Sequence, residues 1–317
     1  MLDHCRRDQW SIQDLDWSRP PRPMPRAKEE AVVQYFTNMA GIERLAAALF
    51  VEEGKKTSDP TLQQIFATFV KDEVRHAQAA ERLAHHFDVH HHQAYALDPH
   101  FERFFPAFVK AVRHLSPEIA NVYITTGELI LDVALLRSLQ SYVDDPICDD
   151  AMRLINRDES RHIAVDFHMV EYYCSPQYLA DLDKEPKRPL KEQLTGWVAL
   201  LDMMIAARPF LSAVFFEPMK LVDPSGKRMQ EAVKRIQLLS NKPGVRDRPF
   251  MKFMNTMQVL YRNPLLRLMF GRILLRVMGT QPEMVEKRYT DEDLARATRM
   301  SFDELADEAL GVKYAPG

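Results

Sequence analysis

Two nearly identical five-residue segments carry the side chains best suited to bind a metal. They are DEVRH at residues 72–76 and DESRH at residues 158–162. In each segment Glu and His are three positions apart, so on a helix both side chains leave the same face about one turn apart. Carboxylate oxygen and imidazole nitrogen form a ligand set that iron and manganese accept. One such pair is common on a solvated helix, but two copies that share the flanking Asp and Arg indicate a metal site with two matched halves.

Two further glutamates match these segments in depth. The first predicted turn is centred at residue 57, with Glu43 lying 14 residues before it and Glu73 lying 16 residues after it. At 1.5 Å per residue, both side chains are at nearly the same height. Around a second turn near residue 144, Glu128 and Glu159 are 16 and 15 residues away. Apolar residues surround Glu43 and Glu73 at helical spacing, and a carboxylate there is costly unless a cation neutralises it. Four Glu and two neutral His would balance two divalent ions.

Helices must position these side chains. Only 10 of the 317 residues are glycine, and no long alternation of apolar and polar residues suggests a sheet. The sequence therefore predicts an all-α protein, with the ligands on four helices at about 29–54, 61–87, 118–142 and 150–173. A short link, a long crossover and a second short link join them, which is typical of a four-helix bundle with one crossover.

The composition predicts three parts along the chain. Residues 1–28 form an N-terminal arm that ends in a proline-rich stretch. Residues 29–175 form the bundle, and residues 176–317 form a helical C-terminal extension that begins with a polar, proline-containing linker. The sequence assigns no role to this extension beyond a possible homodimer contact.

The ligand pattern resembles that of the ferritin-like di-iron carboxylate family, in which two helices each give a Glu and two give Glu-x-x-His. The fuller Asp-Glu-x-Arg-His resembles the oxygen-activating branch, which includes bacterial multicomponent monooxygenases, acyl-carrier-protein desaturases and arylamine N-oxygenases. The resemblance covers residues 30–175 and implies a ferritin-like four-helix bundle with two iron ions. Ligand types do not separate iron from manganese or mixed loading. The implied ligands are Glu43, Glu73, His76, Glu128, Glu159 and His162.

The resemblance also implies roles for residues around the ligands. Asp72 would accept a hydrogen bond from His162, and Asp158 would accept one from His76, which fixes the orientation of each ring. Arginines of the same motifs would neutralise these aspartates. Helical spacing, independently of the resemblance, places two more carboxylates one turn beyond ligands and facing the same way, where they either support the ligands or pair with a base elsewhere. The arginines and these carboxylates are Arg75, Arg161, Asp132 and Asp166.

The implied activity is that of an O2-dependent oxidoreductase, either a hydroxylase or oxygenase or a desaturase-like enzyme. Its substrate would be a small or acyl-type organic molecule in an apolar pocket beside Glu43 and Glu128. No flavin, nicotinamide or iron–sulfur motif occurs, so a reductase or ferredoxin would supply electrons. Ala80 stands where radical-storing relatives carry tyrosine, which disfavours radical storage. Ile155 stands where arylamine N-oxygenases carry an extra histidine, so N-oxygenation lacks support but stays open.

Two other function classes compete with this interpretation. The first is a non-catalytic iron-binding, ferroxidase or peroxide-scavenging protein, which would need neither a substrate pocket nor an external reductant. The second is a helical adaptor without metal, for which neutral substitutions at Glu73 or Glu159 would be harmless or stabilising, because buried unpaired charge is costly.

The net charge, the cysteine positions and the lack of long apolar runs limit the kinds of partner and the cellular compartment that we expect. Lys plus Arg number 42 against 45 for Asp plus Glu, so the net charge of −3 gives no whole-chain case for nucleic acid. Cys5, Cys148 and Cys174 are far apart, which favours neither disulfides nor a cysteine metal site. No apolar run opens the chain, and no stretch of about 18 uncharged apolar residues follows. We therefore expect a cytoplasmic protein.

Two other segments invite an interpretation. The histidine cluster at positions 85, 86, 90, 91 and 92 lies at a helix end and in a loop, where an adventitious chelator is the better explanation. The apolar, arginine-containing segment 263–278 could contact a membrane or an acidic carrier protein. A core helix with snorkelling arginines is the commoner explanation.

Overall fold

A computed structural model describes residues 1–91, 95–184 and 188–314. Within these ranges the chain has fourteen α-helices, one short 3-10 turn at Ile12–Asp14 and no β-strand. The prediction of an all-α protein is confirmed.

The first half contains seven helices. They are α1 Leu2–Arg7, α2 Arg26–Lys56, α3 Pro60–Phe87, α4 Pro99–His114, α5 Pro117–Val143, α6 Pro146–Tyr173 and α7 Pro176–Leu182. The second half contains seven more. They are α8 Leu190–Val222, α9 Lys227–Ser240, α10 Pro249–Arg262, α11 Pro264–Met278, α12 Pro282–Val285, α13 Asp291–Arg299 and α14 Phe302–Tyr314.

Side-chain caps followed by proline begin the helices that carry the motifs. Asp59 accepts hydrogen bonds from the first backbone N–H groups of α3, and Asp145 does the same for α6. Proline fits the first helical position because it has no N–H to leave unpaired. The α6 helix therefore begins at Pro146, four residues before the predicted start. The sequence segment after Asp145 was expected to be a turn, but the cap makes it the first turn of the helix.

The four predicted helices are α2, α3, α5 and α6. The α2 helix packs along α3, α5 packs against α6, and contacts between α2 and α5 and between α3 and α6 join the two pairs. The crossover contains α4, which packs on α8, while α9 and α14 pack on α5 and α6. Buried apolar side chains from Cys5 to Ala309 belong to one continuous core. The first and last helices therefore pack on the same core as the four central ones.

The α5 helix has an internal irregularity. Its backbone widens to a π-helical segment at Ile130–Leu136, two residues after Glu128. A π segment adds one residue to a turn, so it changes the direction of the side chains beyond it. A second π segment, Leu211–Phe216, occurs in α8.

Two helices, α5 and α8, are long and apolar enough to cross a membrane by length and composition alone. In α5, 72% of the most apolar window is buried within the chain, against 50% in α8. A core helix of a globular protein passes the same test, and the burial of α5 fits that explanation. The neighbouring α11 likewise exposes apolar side chains, among them Leu268 and Met269.

Candidate metal centre

The structure brings all six predicted ligands together in two overlapping groups. Within each group, one possible ligand atom from every residue lies within 4.8 Å of the others. The groups consist of Glu43, Glu73, His76 and Glu159, and of Glu73, Glu128, Glu159 and His162. Glu73 and Glu159 belong to both groups, so they lie between two adjacent candidate positions for an ion.

Each of the four helices contributes to the cluster from its buried side. Glu43 lies on α2 and Glu128 on α5, while α3 and α6 each contribute the Glu and His of one motif. All six side chains are buried, and Glu128, at 5%, is the most exposed residue of the set. The side chains meet because each lies about four helical turns from a tight link, as the equal spacings in the sequence require.

The two imidazole rings point the same nitrogen toward the carboxylates. Nδ1 of His76 is 2.9 Å from Oε1 of Glu159. Nδ1 of His162 is 3.0 Å from Oε1 of Glu73 and 2.9 Å from Oε2 of Glu159. Each ring thus reaches the glutamate of the opposite motif, and Nδ1 is the nitrogen available to an ion within the cluster.

The opposite ring nitrogens face the two motif aspartates. Nε2 of His76 is 3.2 Å from Oδ2 of Asp158, within hydrogen-bonding distance. Nε2 of His162 is 3.7 Å from Oδ2 of Asp72, which is longer than a hydrogen bond. The expected partners are therefore adjacent in both halves, but only one pair is close enough to bond.

The motif arginines link the two aspartates. Arg75 bonds to Asp72 and lies 3.0 Å from Asp158, while Arg161 lies 3.2 Å from Asp72 and 2.9 Å from Asp158. Burial alone would raise the pKa of Asp158, but His76 and Arg161 outweigh it and hold that pKa below its ordinary value. The ionised aspartates and the two guanidinium groups form one charged layer behind the histidines.

The N-terminal arm completes this layer, which the sequence did not reveal. Trp10 is 8% exposed, and its indole N–H donates to Oδ2 of Asp158 at 2.7 Å. The Gln9 amide donates to Asp72 at 3.0 Å and accepts from Arg75 at 2.8 Å. The Trp10 ring also lies beneath the Arg75 guanidinium, 5.1 Å from its centroid. No motif marks these two residues, and their partners are 63 to 148 positions away.

The remaining predicted carboxylates lie near the cluster but outside both groups. Asp132 and Asp166 are buried, with exposures of 0% and 1%. Burial, followed by charge repulsion from Glu53, Glu159 and Asp132, raises the pKa of Asp166 well above its ordinary value despite the opposing effect of His162. Both aspartates therefore belong to the acidic surroundings of the cluster, and a pairing of Asp166 with a nearby base is not seen among the described residues.

The histidine cluster at the end of α3 does not converge on one point. His90 contacts Glu29 through Nδ1 at 2.6 Å, the His85 ring packs against Tyr95, and the His86 ring packs against Trp17. In the described part of the chain, neither group able to hold a metal includes one of these histidines. His92 lies outside the described residues.

The charges of the cluster are strongly coupled. Burial, and then repulsion from Glu73 and Glu159, raises the pKa of Glu43 well above its ordinary value, and the same causes act on Glu128. Burial opposes protonation of His76, but the surrounding carboxylates outweigh it and raise its pKa. Without a cation, the cluster thus retains protons to limit its negative charge.

The donor set fits two divalent cations. It offers four carboxylates and two imidazoles, whose four negative charges would match two doubly charged ions. Several of these atoms have no hydrogen-bond partner among the described residues, including both carboxylate oxygens of Glu43 and one of Glu128. Buried polar atoms are normally bonded, so atoms without partners at one point are consistent with a bound ion.

An apolar cavity of about 230 Å³ adjoins the cluster at Glu128. The α2 residues on either side of Glu43, including Ile42 and Ala46, also line it, although Glu43 itself does not. The rest of the wall comes from α4, α5 and the C-terminal helices, including Phe104 and Phe210. The C-terminal half of the chain thus forms part of a chamber beside the candidate metal centre.

Comparison with the models of known protein families gives no match, and no curated protein is significantly similar to this chain.

Proposed function

We propose that the chain is a ferritin-like four-helix bundle protein that binds two metal ions, iron foremost, and acts as an O2-dependent oxidoreductase on an apolar organic substrate. One observation carries most of this proposal: six buried ligands from four helices converge in two groups that share Glu73 and Glu159. An isolated buried carboxylate is costly, so four at one point favour a site where cations compensate their charge.

The side chains would divide the work of holding the ions. Glu73 and Glu159 would contact both ions, while Glu43 and Glu128 would each contact one. Asp158 would hold the Nε2–H of His76, which leaves Nδ1 as the ligand atom. Bound iron would supply the binding and reduction of dioxygen, chemistry that no side chain here provides.

The cavity favours an oxygenase or desaturase-like activity over iron storage. Its wall is mostly apolar side chains, with Glu128 at the edge shared with the cluster. Such a chamber would exclude water and hold a hydrocarbon group beside the ions. A ferroxidase needs a route for aqueous ions and has no use for such a chamber. Insertion of one oxygen atom consumes two external electrons and two protons and releases water, so an electron-donating partner is part of the proposal.

The test combines metal analysis with oxygen consumption. Protein reconstituted anaerobically with ferrous iron and then desalted is expected to retain two irons per chain. With a chemical reductant and ferredoxin, oxygen uptake is expected to continue over many turnovers when an apolar substrate is present. A protein that retains no iron or manganese would refute the metal centre. Oxygen uptake that stops once the added ferrous iron is oxidised, whatever the reductant or substrate, would instead support the ferroxidase alternative.

A further inference from the structure

The helical hairpin α10–α11 exposes apolar side chains to solvent. We use the term hairpin face for the outward apolar residues Phe253, Val259, Leu265, Leu268, Met269, Phe270, Ile273 and Val277. Leu268 is 84% exposed, and Leu265 and Val259 are 64% and 65% exposed. The sequence favoured a core helix for this segment, which is wrong, because only Gly271, Leu275 and Met278 of α11 are buried. Apolar periodicity marks a helix face but not what covers it.

The hairpin also carries one sign of charge. Between Pro249 and Met278 there is no Asp or Glu, but there are five basic residues in a chain whose net charge is −3. These are Lys252, Arg262, Arg267, Arg272 and Arg276. Met269, Ile273 and Val277 follow one another at four-residue spacing and form a row along α11. Arg272 and Arg276 are each three residues beyond a member of this row, so they lie beside it.

We propose that the hairpin face docks in the plane of an anionic lipid membrane, with α11 lying in the headgroup region. An exposed row of apolar side chains with arginines beside it is typical of helices that bind at membrane interfaces. The 15 residues of α11 reach about 22 Å, too short to cross the hydrocarbon core. The arginines would meet lipid phosphates while the apolar row enters between the acyl chains.

A second copy of the chain fits this surface less well. A twofold pairing of two hairpins would bring together ten basic residues with no carboxylate from either hairpin to neutralise them. An acidic protein could satisfy the arginines, but it would also need an apolar surface shaped to cover side chains as exposed as Leu268, at 84%. A fluid lipid surface accommodates protruding side chains without requiring a complementary shape.

The attachment of the hairpin to the rest of the chain supports in-plane docking. Gly279, directly after α11, has a positive φ of 61°, and a β-carbon there would lie 2.9 Å from the Met204 carbonyl oxygen. This close contact with α8 fixes one end of α11. On its inner side the hairpin lines the apolar cavity through Met254 and Met278.

The test is flotation of the full-length chain with vesicles of phosphatidylcholine alone or mixed with phosphatidylglycerol. The native chain is expected to float with the mixed vesicles and to be released by high salt. Arg272→Gln and Arg276→Gln are each expected to weaken binding about fivefold. The double variant Leu268→Glu, Ile273→Glu is expected to abolish it. Controls outside the hairpin, Arg153→Gln and Val89→Glu, alter an exposed arginine and an exposed aliphatic residue and are expected to bind as the native chain does.

Two outcomes would overturn the proposal. The first is a native chain that stays in the soluble fraction with both kinds of vesicle. The second is a chain that fails to float but forms a dimer, which Leu268→Glu, Ile273→Glu converts to a monomer. Circular dichroism checks that each variant is folded. Flotation requires no bound metal, so its result is independent of the proposed activity.

Discussion

Because Glu73 belongs to both ligand groups, its substitution distinguishes a centre for two ions from a centre for one. Glu73→Gln removes a ligand from each group, whereas Glu43→Gln removes a ligand from only one. Each substitution keeps the size of the side chain. At a free metal concentration 100 times its dissociation constant, a bound ion stabilises the folded chain by about 2.7 kcal/mol, so two ions contribute about 5 kcal/mol.

Loss of a residue that orients a ligand lowers the metal affinity of a site by up to about a hundredfold. Loss of a ligand itself should lower the affinity at least as much. A site weakened that far contributes only about 0.4 kcal/mol at the same metal concentration. The metal-dependent stabilisation should therefore fall from about 5 kcal/mol in the native chain to about 3 in Glu43→Gln and about 1 in Glu73→Gln. Without metal, both variants should be at least as stable as the native chain, because each loses a buried carboxylate.

The assay is anaerobic urea unfolding with and without ferrous iron, with metal content measured in parallel. Glu52→Gln is the matched control, since Glu52 lies on the same helix as Glu43 but bonds to Lys55 and Arg113 and belongs to neither group. It should keep the full metal-dependent stabilisation. Equal losses in Glu43→Gln and Glu73→Gln would refute the arrangement of two sites that share ligands. No effect of metal on the native chain would refute the site altogether.

Two further predictions concern Trp10 and Glu53. Trp10→Phe removes the indole donor to Asp158, so the unfolding free energy should fall by about 2 kcal/mol, as for a hydrogen bond to a charged group. Trp17→Phe, which loses a bond only to the Ile12 carbonyl, should cost about half as much, and equal losses would contradict a special role for Trp10. Burial raises the pKa of Glu53 to about 7 against the opposing effect of Lys56. Its contribution to stability, about 3 kcal/mol, should be present below about pH 4.5 and lost as the pH rises through 7. The unfolding free energy of metal-free Glu53→Gln, measured in urea, should not show this fall with pH. A variant with the same pH profile as the native chain would refute the prediction.

The candidate ligands could be predicted from the sequence because the spacing that brings Glu and His together is local and occurs twice. A Glu and a His three residues apart share a helix face whatever the fold around them. Equal distances from two links then fix the depth of Glu43 and Glu128. The helix ends differ from prediction by a few residues, most clearly at Pro146, where the Asp145 cap extends α6.

The parts that could not be predicted depend on contacts between distant segments. Trp10 reaches Asp158 across 148 positions, and nothing in the arm distinguishes it from another partly buried aromatic residue. For α11, the apolar pattern is compatible with both a core helix and a solvent-facing one. Which of the two α11 forms depends on whether another segment packs on it, and a single sequence does not show this. The widened segment of α5 at Ile130–Leu136 likewise contains no proline or glycine, and Gly127, three residues before it, does not by itself predict a π-helical turn.

The two sides of the candidate centre differ in a way that bears on access. Behind the histidines, aspartates and arginines form a charged layer that Trp10 and Gln9 of the arm join. An apolar molecule entering there would have to break buried, charge-assisted hydrogen bonds, and nothing it carries could replace them. On the side of Glu128, the wall is apolar and comes largely from the crossover and the C-terminal helices. If the proposed ions are present, the cavity side therefore favours the approach of an apolar substrate more than the charged side does. The segments outside the four central helices thus cover both sides of the candidate centre. The arm packs against the charged layer, and the C-terminal helices form part of the cavity wall.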